Sequence, residues 1–226
     1  MNNSENANNR KKELETRVLS SKGRSSLLDL ELVELILYSS FNKGESREIA
    51  EKLLELFKSV GKVISADFHE LKSVTGMNNS AVASIMCVRE TIERMLRKDL
   101  EELPIVENQK KLIEYLKITI AQSNRESIRV IYFDKKSRII DEYIQEGTLD
   151  KVSLHPREIM KRGLLVEASA MVIAHNHPGG EAKPSQHDKS LTKILGLACS
   201  SMEIELIDHI IVTEKNYFSF AENQLL

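Results

Sequence analysis

Apolar residues recur every three to four positions through the first hundred residues of the chain. Leu28, Leu32, Leu35 and Ile36 fall on one helical face, and Ile49, Leu53, Leu56 and Phe57 repeat the spacing. Ser46 reads as the N-cap of this second helix, with Gly61 beyond its end. Ser80 reads as the cap of a third helix that carries Val82, Ile85, Met86, Val88 and Ile92. No proline precedes Pro104, so nothing breaks the helical texture before that point.

The pattern changes near Leu103 and Pro104. A helix over residues 108–120 leads into an apolar run, Ser127 to Phe133, that reads as a strand. Residues 138–145 read as its hairpin partner, with Asp134, Lys135, Lys136 and Ser137 as the turn. Pro156 opens a helix through about Ala168, since proline suits a first helical turn. Residues 170–174 form a short apolar strand, residues 186–200 a helix, and strands follow near 203–213 and 217–221. The order ββαβαββ predicts an α/β sandwich with a mixed sheet. The chain is therefore expected to be α+β, with an all-helical domain at 1–103 and the sandwich at 104–226. No internal repeat is evident.

Bulk composition narrows the functional classes. The chain has 226 residues with 41% hydrophobic and 29% charged positions, which suits a globular protein with a real core. A net charge of -2 supplies no global pull toward nucleic acid or an anionic membrane. Cys87 and Cys199 are far apart and form no Cys-x-x-Cys pair, which argues against a disulfide scaffold or a thiolate zinc site and for a reducing compartment. The first ten residues are Asn-rich and polar, unlike a signal peptide, and no stretch is long enough for a membrane helix. The expected location is cytoplasmic, with no membrane partner. The sequons at Asn2 and Asn78 then carry no glycan.

One segment carries the chemistry: His175-Asn176-His177-Pro178-Gly179-Gly180, followed by Ser185 and Asp188. Period two places His175 and His177 on one face at the end of a strand, where α/β folds hold their ligands. The Pro-Gly-Gly turn bends the chain away, and Asp188 falls in the first turn of the next helix, able to point back. Two imidazoles and one carboxylate, with a fourth position left for water, are the ligand set of a catalytic Zn2+ site. The bland alternative is that Ser185 and Asp188 form a helix-start box. Capping alone does not explain the two histidines and the turn ahead of them. His187 points elsewhere on its helix, His155 reads as a turn residue, and His69 and His209 read as structural or exposed.

On His175, His177, Pro178, Ser185 and Asp188 the sequence resembles the JAMM (MPN/JAB) metalloprotease superfamily. Glu146-Gly147-Thr148, His155-Pro156-Arg157-Glu158 and Leu206-Ile207-Asp208-His209-Ile210-Ile211 narrow the resemblance to the bacterial RadC family. It spans roughly Leu103 to the C-terminus and, less tightly, the helical part. The resemblance implies that His175, His177 and Asp188 bind zinc. It also implies a glutamate on an earlier strand as general base, best matched by Glu126, with Glu146 and Glu167 as alternatives. Period two puts Glu126 on the face of Ile128, Val130 and Tyr132, an unusual direction for an acid. The resemblance further implies that Ser185 donates to the oxyanion, and that the reaction is hydrolysis of a peptide or isopeptide amide in a protein or peptide substrate.

Residues 71–80 and the helix after them look like a helix-hairpin-helix module, whose hairpin amides hold a DNA phosphate. Gly76 is present, but Asn78 occupies the second glycine position; asparagine tolerates left-handed angles better than most residues. Lys43, Lys72, Arg89, Arg94, Arg97 and Lys98 are available for phosphates, yet acids interleave with them and no clear basic patch forms. Three functions stay open: a metallopeptidase, a DNA-associated repair or recombination protein in which the helical part contacts DNA, and an inactive scaffold, which an intact ligand set disfavours. A zinc deaminase is excluded because its His-x-Glu and Pro-Cys-x-x-Cys elements are absent.

Overall fold

Ser127–Phe133, strand β1, is buried along its whole length, and the second half of the chain is built around it. The structure is a computed structural model that describes residues 2–21, 26–41, 44–101, 109–147, 155–178 and 180–226, the side chains of 2–7, Asp99 and Glu146 apart. β1 pairs antiparallel with β2 (Ile139–Glu146) and, on its other side, with β3 (Ala170–Asn176). β3 runs parallel to β4 (Glu205–Val212), which pairs antiparallel with β5 (Tyr217–Ser219). The mixed sheet has the order β2-β1-β3-β4-β5. Parallel β3 and β4 need a crossover, which α9 (Gln186–Ser201) supplies.

Both faces of the sheet are covered, which is why β1 and β3 lack an exposed, polar side. On one face Ile131, Phe133, Val172 and Ala174 pack against Leu112, Leu116 and Ile120 of α7 (Gln109–Thr119) and the turn after it. On the other, Ile128, Val130, Tyr132, Met171 and Ile173 pack against Ile159 and Met160 of α8 (Pro156–Leu165) and Leu191 and Leu195 of α9. Each such side chain, fully buried, is worth roughly 1.5–3 kcal/mol relative to exposure. One charge interrupts the first face. Arg129 is buried and donates to Tyr115 Oη at 2.7 Å and Glu142 Oε1 at 2.9 Å, with Glu93 3.6 Å away.

The hairpin turn matches the expected one. Asp134 Oδ1 accepts from the amides of Lys136 and Arg138, and Ser137 takes a left-handed φ of 58°. The α8 helix stops at Leu165, short of the expected Ala168. Glu167 there adopts φ 55°, and the Ala168 amide closes back on Gly163 O at 2.9 Å.

The described residues divide into two units, Met1–Ile92 and Glu93–Leu226. The expected boundary at Leu103 and Pro104 lies outside the described residues. The division falls earlier because the last turns of α6 (Asn79–Glu101) put Leu96 and Leu100 into the core of the sheet unit.

The first unit is helical: α1 (Asn2–Ser20), α2 (Asp29–Leu37), α3 (Glu45–Phe57), α4 (Val60–Ser65), α5 (Phe68–Ser73) and the start of α6. The sequence pattern did not predict α1. Leu14 is its buried apolar anchor, and its polar face is held by Arg17 on Glu31 at 2.9 Å and Arg10 on Glu34 at 3.1 Å. The predicted caps need correction. Ser46 is buried inside α3, whose cap position is Gly44 at φ 93°, and Gly61 lies within α4. Ser80 does not open α6. Asn78 does, its Oδ1 accepting from the Ala81 amide at 2.8 Å.

Candidate metal centre

Alternation along β3 decides what faces the site. Met171 and Ile173 point into the α8–α9 side of the core, so His175 points there too, and His177 follows one period later. The His177 amide still donates to Val212 O at 3.1 Å, which keeps the residue on the strand line. The two Nε2 atoms come within 3.0 Å of each other. Asp188, in the first turn of α9, brings Oδ1 to 3.4 Å from His175 Nε2 and Oδ2 to 3.6 Å from His177 Nε2. The three residues expected as ligands therefore converge.

Ser185 and Asp188 do form a capping box, and the box does not compete with the site. Asp188 Oδ2 accepts from the Ser185 amide and from Ser185 Oγ, both at 2.7 Å, while the Asp188 amide donates to Ser185 Oγ at 3.1 Å. Oδ2 thus caps the helix while still lying 3.6 Å from His177 Nε2, and Oδ1 is left for His175. The same bonds fix the side chain that must reach back from α9 to β3.

The histidine tautomers follow from the hydrogen-bond network. Thr192 Oγ donates to Asp188 O at 2.6 Å, so it can only accept from His209 Nδ1, 2.7 Å away. His209 Nε2 is then an acceptor, and His175 Nδ1 donates to it at 2.9 Å. His175 Nε2 keeps its lone pair, aimed at His177 and Asp188. His177 Nδ1 donates to Glu181 O at 3.2 Å, which leaves its Nε2 as the inward atom as well. Partners on the far nitrogen are how protein sites orient imidazole ligands.

Charge follows the geometry. Burial pushes the Asp188 carboxyl up, but the His175 and His177 imidazoles beside it and the hydrogen bond from Ser185 outweigh it and hold the group well below the usual carboxylate range. The neighbouring Asp188 carboxylate raises the His177 imidazole above its ordinary value against the pull of burial. Burial, and then the His175 ring beside it, keep His209 well below the ordinary histidine value, so it stays neutral.

The donor set fits a small tetrahedral cation. Zinc bonded to nitrogen and oxygen at about 2.0–2.1 Å has ligand–ligand edges of roughly 3.3 Å. The separations of 3.0 and 3.4 Å found here lie on either side of that value. Two unprotonated Nε2 atoms 3.0 Å apart repel unless a proton or a cation lies between them. Glu126 completes the group: a carboxylate oxygen lies within 4.8 Å of the ligand atoms of both histidines, and the residue is half-buried. Of the alternatives, Glu167 sits exposed behind α8, just before β3 begins, outside this group. The Glu146 side chain lies outside the described residues, as do Thr148 and Gly179 of the quoted motifs.

Sequence reasoning missed His209. It is fully buried, bonded to His175, and stacked on Phe220 at 4.7 Å. The signal was present: Asp208 and His209 interrupt an otherwise apolar strand. Asp208 has a different job, accepting from Ser219 Oγ and the Ala221 amide to fasten β5. His69, His155 and His187 are exposed, and none touches the cluster.

A five-stranded mixed sheet between helices, with His-x-His ending one strand and an aspartate opening the next helix, defines a JAB-type domain. Residues 106–225 match the family model described as the RadC-like JAB domain. The chain is 33% identical over 205 residues to a UPF0758 protein of Rhodobacter capsulatus, covering 90% of this chain and 96% of the relative. It is 32% identical over 209 residues to a UPF0758 protein of Methylibium petroleiphilum, covering 92% and 94%. A UPF0758 protein of Ruegeria pomeroyi is 33% identical over 205 residues, covering 90% and 92%. The chain belongs to the RadC-like JAB-domain family.

Proposed function

We propose that this protein is a zinc-dependent hydrolase of peptide or isopeptide amides. The observation that carries the reading is the convergence of His175 Nε2, His177 Nε2 and an Asp188 oxygen within 3.0–3.6 Å, with the Glu126 carboxylate alongside. Zinc held by those three residues would supply Lewis acidity, polarising a carbonyl and lowering the pKa of bound water toward ~7. Glu126 is placed to take a proton from the attacking water on its carboxylate and to pass it to the leaving nitrogen. His175 and His177 would hold the ion through their Nε2 atoms. Ser185 stands beside the site with its hydroxyl turned to Asp188 Oδ2. To serve the oxyanion it must turn away, and the Ser185 amide keeps Oδ2 satisfied when it does.

Metal analysis of purified protein, of His175→Ala and of Glu126→Gln, each beside a peptide-library cleavage assay, tests the reading. Wild type should retain about one zinc and cleave. His175→Ala should lose both properties. Glu126→Gln should keep zinc and lose about 10²–10⁴-fold in turnover. Full activity of Glu126→Gln, or a wild type that retains no divalent ion, overturns it.

The compartment we infer is a reducing cytoplasm. Cys87 and Cys199 are both free thiols, and among the described residues no helix is long and apolar enough to cross a membrane. A DNA-contacting role for the α5–α6 hairpin is a second reading, favoured by Gly76 at φ 97° in a tight helix–hairpin–helix turn. Two features weigh against it. Lys72 Nζ is spent on Met77 O at 3.0 Å, and Asn78 does not take a left-handed conformation but caps α6 and holds Ser40 O at 2.8 Å. Salt-dependent binding to duplex DNA would support this reading.

A further inference from the structure

Asn176 lies between the two histidines, fully buried, on the face of β3 opposite theirs. Period two calls for an apolar residue there, as at Val172 and Ala174. Burying an amide costs free energy unless its donors and acceptor are matched. Here all are matched, and every partner lies in one short segment. Oδ1 accepts from the Ser127 amide at 2.7 Å and from Ser127 Oγ at 3.2 Å. Nδ2 donates to Arg125 O at 2.9 Å and to Ser123 O at 3.3 Å. Only this orientation of the amide puts its oxygen on donors and its nitrogen on carbonyls.

Glu126 is the residue between those anchors. The backbone pairing of β1 with β3 ends at Ile128 opposite His175, so no ladder bond from β3 reaches Glu126. The Asn176 side chain takes over where the ladder stops and fastens the chain before and after Glu126 to the strand that carries His175. On the outer side the Gly147 amide donates to Glu126 O at 2.9 Å. The distance from the Glu126 carboxylate to the histidines is thereby tied to a residue of the His-x-His segment itself.

We propose that Asn176 is a positioning residue that sets Glu126 against the metal centre. The proposal rests on the reading of Glu126 as the proton acceptor. It predicts a separation of roles: His175 and His177 hold the ion, and the residue between them aims the base. A displacement of about 1 Å in such a group is enough to cost on the order of 100-fold in rate.

The test uses the full-length chain with Co2+ as the probe, comparing wild type, Glu126→Gln, Asn176→Leu and Asn176→Asp. Asn176→Leu should still take up one Co2+, but its visible spectrum should depart from wild type in the way that of Glu126→Gln does. On any peptide wild type cleaves, kcat should fall about 100-fold with KM little changed, and adding Glu126→Gln should cost almost nothing more. Asn176→Asp, which keeps the acceptor and sets a second oxygen against two carbonyls, should behave like Asn176→Leu. An Asn176→Leu protein that melts earlier yet keeps the wild-type spectrum and kcat overturns the proposal and leaves the metal reading intact. Wild type that takes up no Co2+ overturns both. If the leucine variant does not fold, hydrogen exchange of the wild-type Ser127 amide decides. Protection close to that of the Val130 amide supports the clamp, and exchange at the rate of a frayed strand end refutes it.

Discussion

Replacing Thr192 with valine keeps the shape of a buried side chain and removes one hydroxyl. Two short hydrogen bonds go with it, 2.6 Å to Asp188 O and 2.7 Å from His209 Nδ1. His209 is fully buried, so water cannot replace the lost acceptor. An abandoned buried N–H costs about 1–3 kcal/mol. His209 can escape by moving its proton to Nε2, but that nitrogen faces His175 Nδ1–H at 2.9 Å. His175 would then have to shift its own proton to Nε2, the atom aimed at His177 and Asp188. Whichever ring moves, the cost falls on the metal-competent tautomer. At about 1.4 kcal/mol per tenfold, 1–3 kcal/mol corresponds to a loss of roughly 5- to 150-fold in Zn2+ affinity. That range overlaps the 10- to 100-fold typical of residues that orient metal ligands. Competition with a chromophoric chelator at fixed pH and salt measures it, with Thr192→Ser as the control that keeps the hydroxyl. Thr192→Val binding zinc as tightly as wild type would show that the relay from Thr192 through His209 does not set the His175 tautomer.

Two further perturbations probe the sheet unit. His209 sits well below the ordinary histidine value when folded, burial being the larger cause, whereas the unfolded chain binds its proton below about pH 6.5. Its contribution to stability is therefore complete above about pH 6.5 and lost as the pH falls, by about 1.4 kcal/mol per pH unit. Urea melts of metal-free protein between pH 6.5 and 5 should show a shallower acid decline for His209→Gln, and an equally steep one refutes the assignment. Separately, Arg129→Met leaves the Glu142 carboxylate, 7% exposed, without its 2.9 Å partner and should cost about 3–5 kcal/mol. Arg129→Met with Glu142→Leu should recover part of that loss, and a double variant no more stable than the single one argues against a paired charge.

The convergence of His175, His177 and Asp188 was legible because coordination chemistry restricts residue type and spacing together. Strand alternation and a helix start leave few ways for His175, His177 and Asp188 to be arranged. β1 was legible to the residue because, Ser127 and Arg129 apart, it is apolar on both faces. Glu126 was harder. Its neighbours share its face by period two, but whether a residue just before a strand keeps that phase depends on anchors elsewhere in the chain, here Asn176. The caps failed for a related reason. Ser46 and Ser80 have the right chemistry at nearly the right place, but tertiary contacts choose among adjacent polar residues. Asn78 won because its amide group also reaches Ser40 O. His209 was missed because its partners, Thr192 and His175, are neighbours only across the sheet. The helix α1 was missed because its hold on α2 is mostly ionic, through Arg10 and Arg17, and hydrophobic periodicity does not register such contacts.

Each group that aims a side chain of this candidate site also holds the fold in place. Asp188 turns its carboxylate toward the histidines because Oδ2 is committed to the cap of α9, so an unravelled first turn would release it. His209 belongs to the parallel partner of β3, so the tautomer of His175 depends on the β3–β4 pairing. Asn176 makes the approach of Glu126 depend on the end of the β1–β3 ladder. The close approach of His175, His177 and Asp188 thus rests on the same contacts that hold the fold. The cost of that approach is electrostatic: two imidazole nitrogens 3.0 Å apart beside a carboxylate. A proton on His177 relieves it, consistent with the upward shift of that ring. A divalent cation would relieve it more fully, because it would bond both nitrogens and the carboxylate at once while a proton on one ring can serve only part of the cluster.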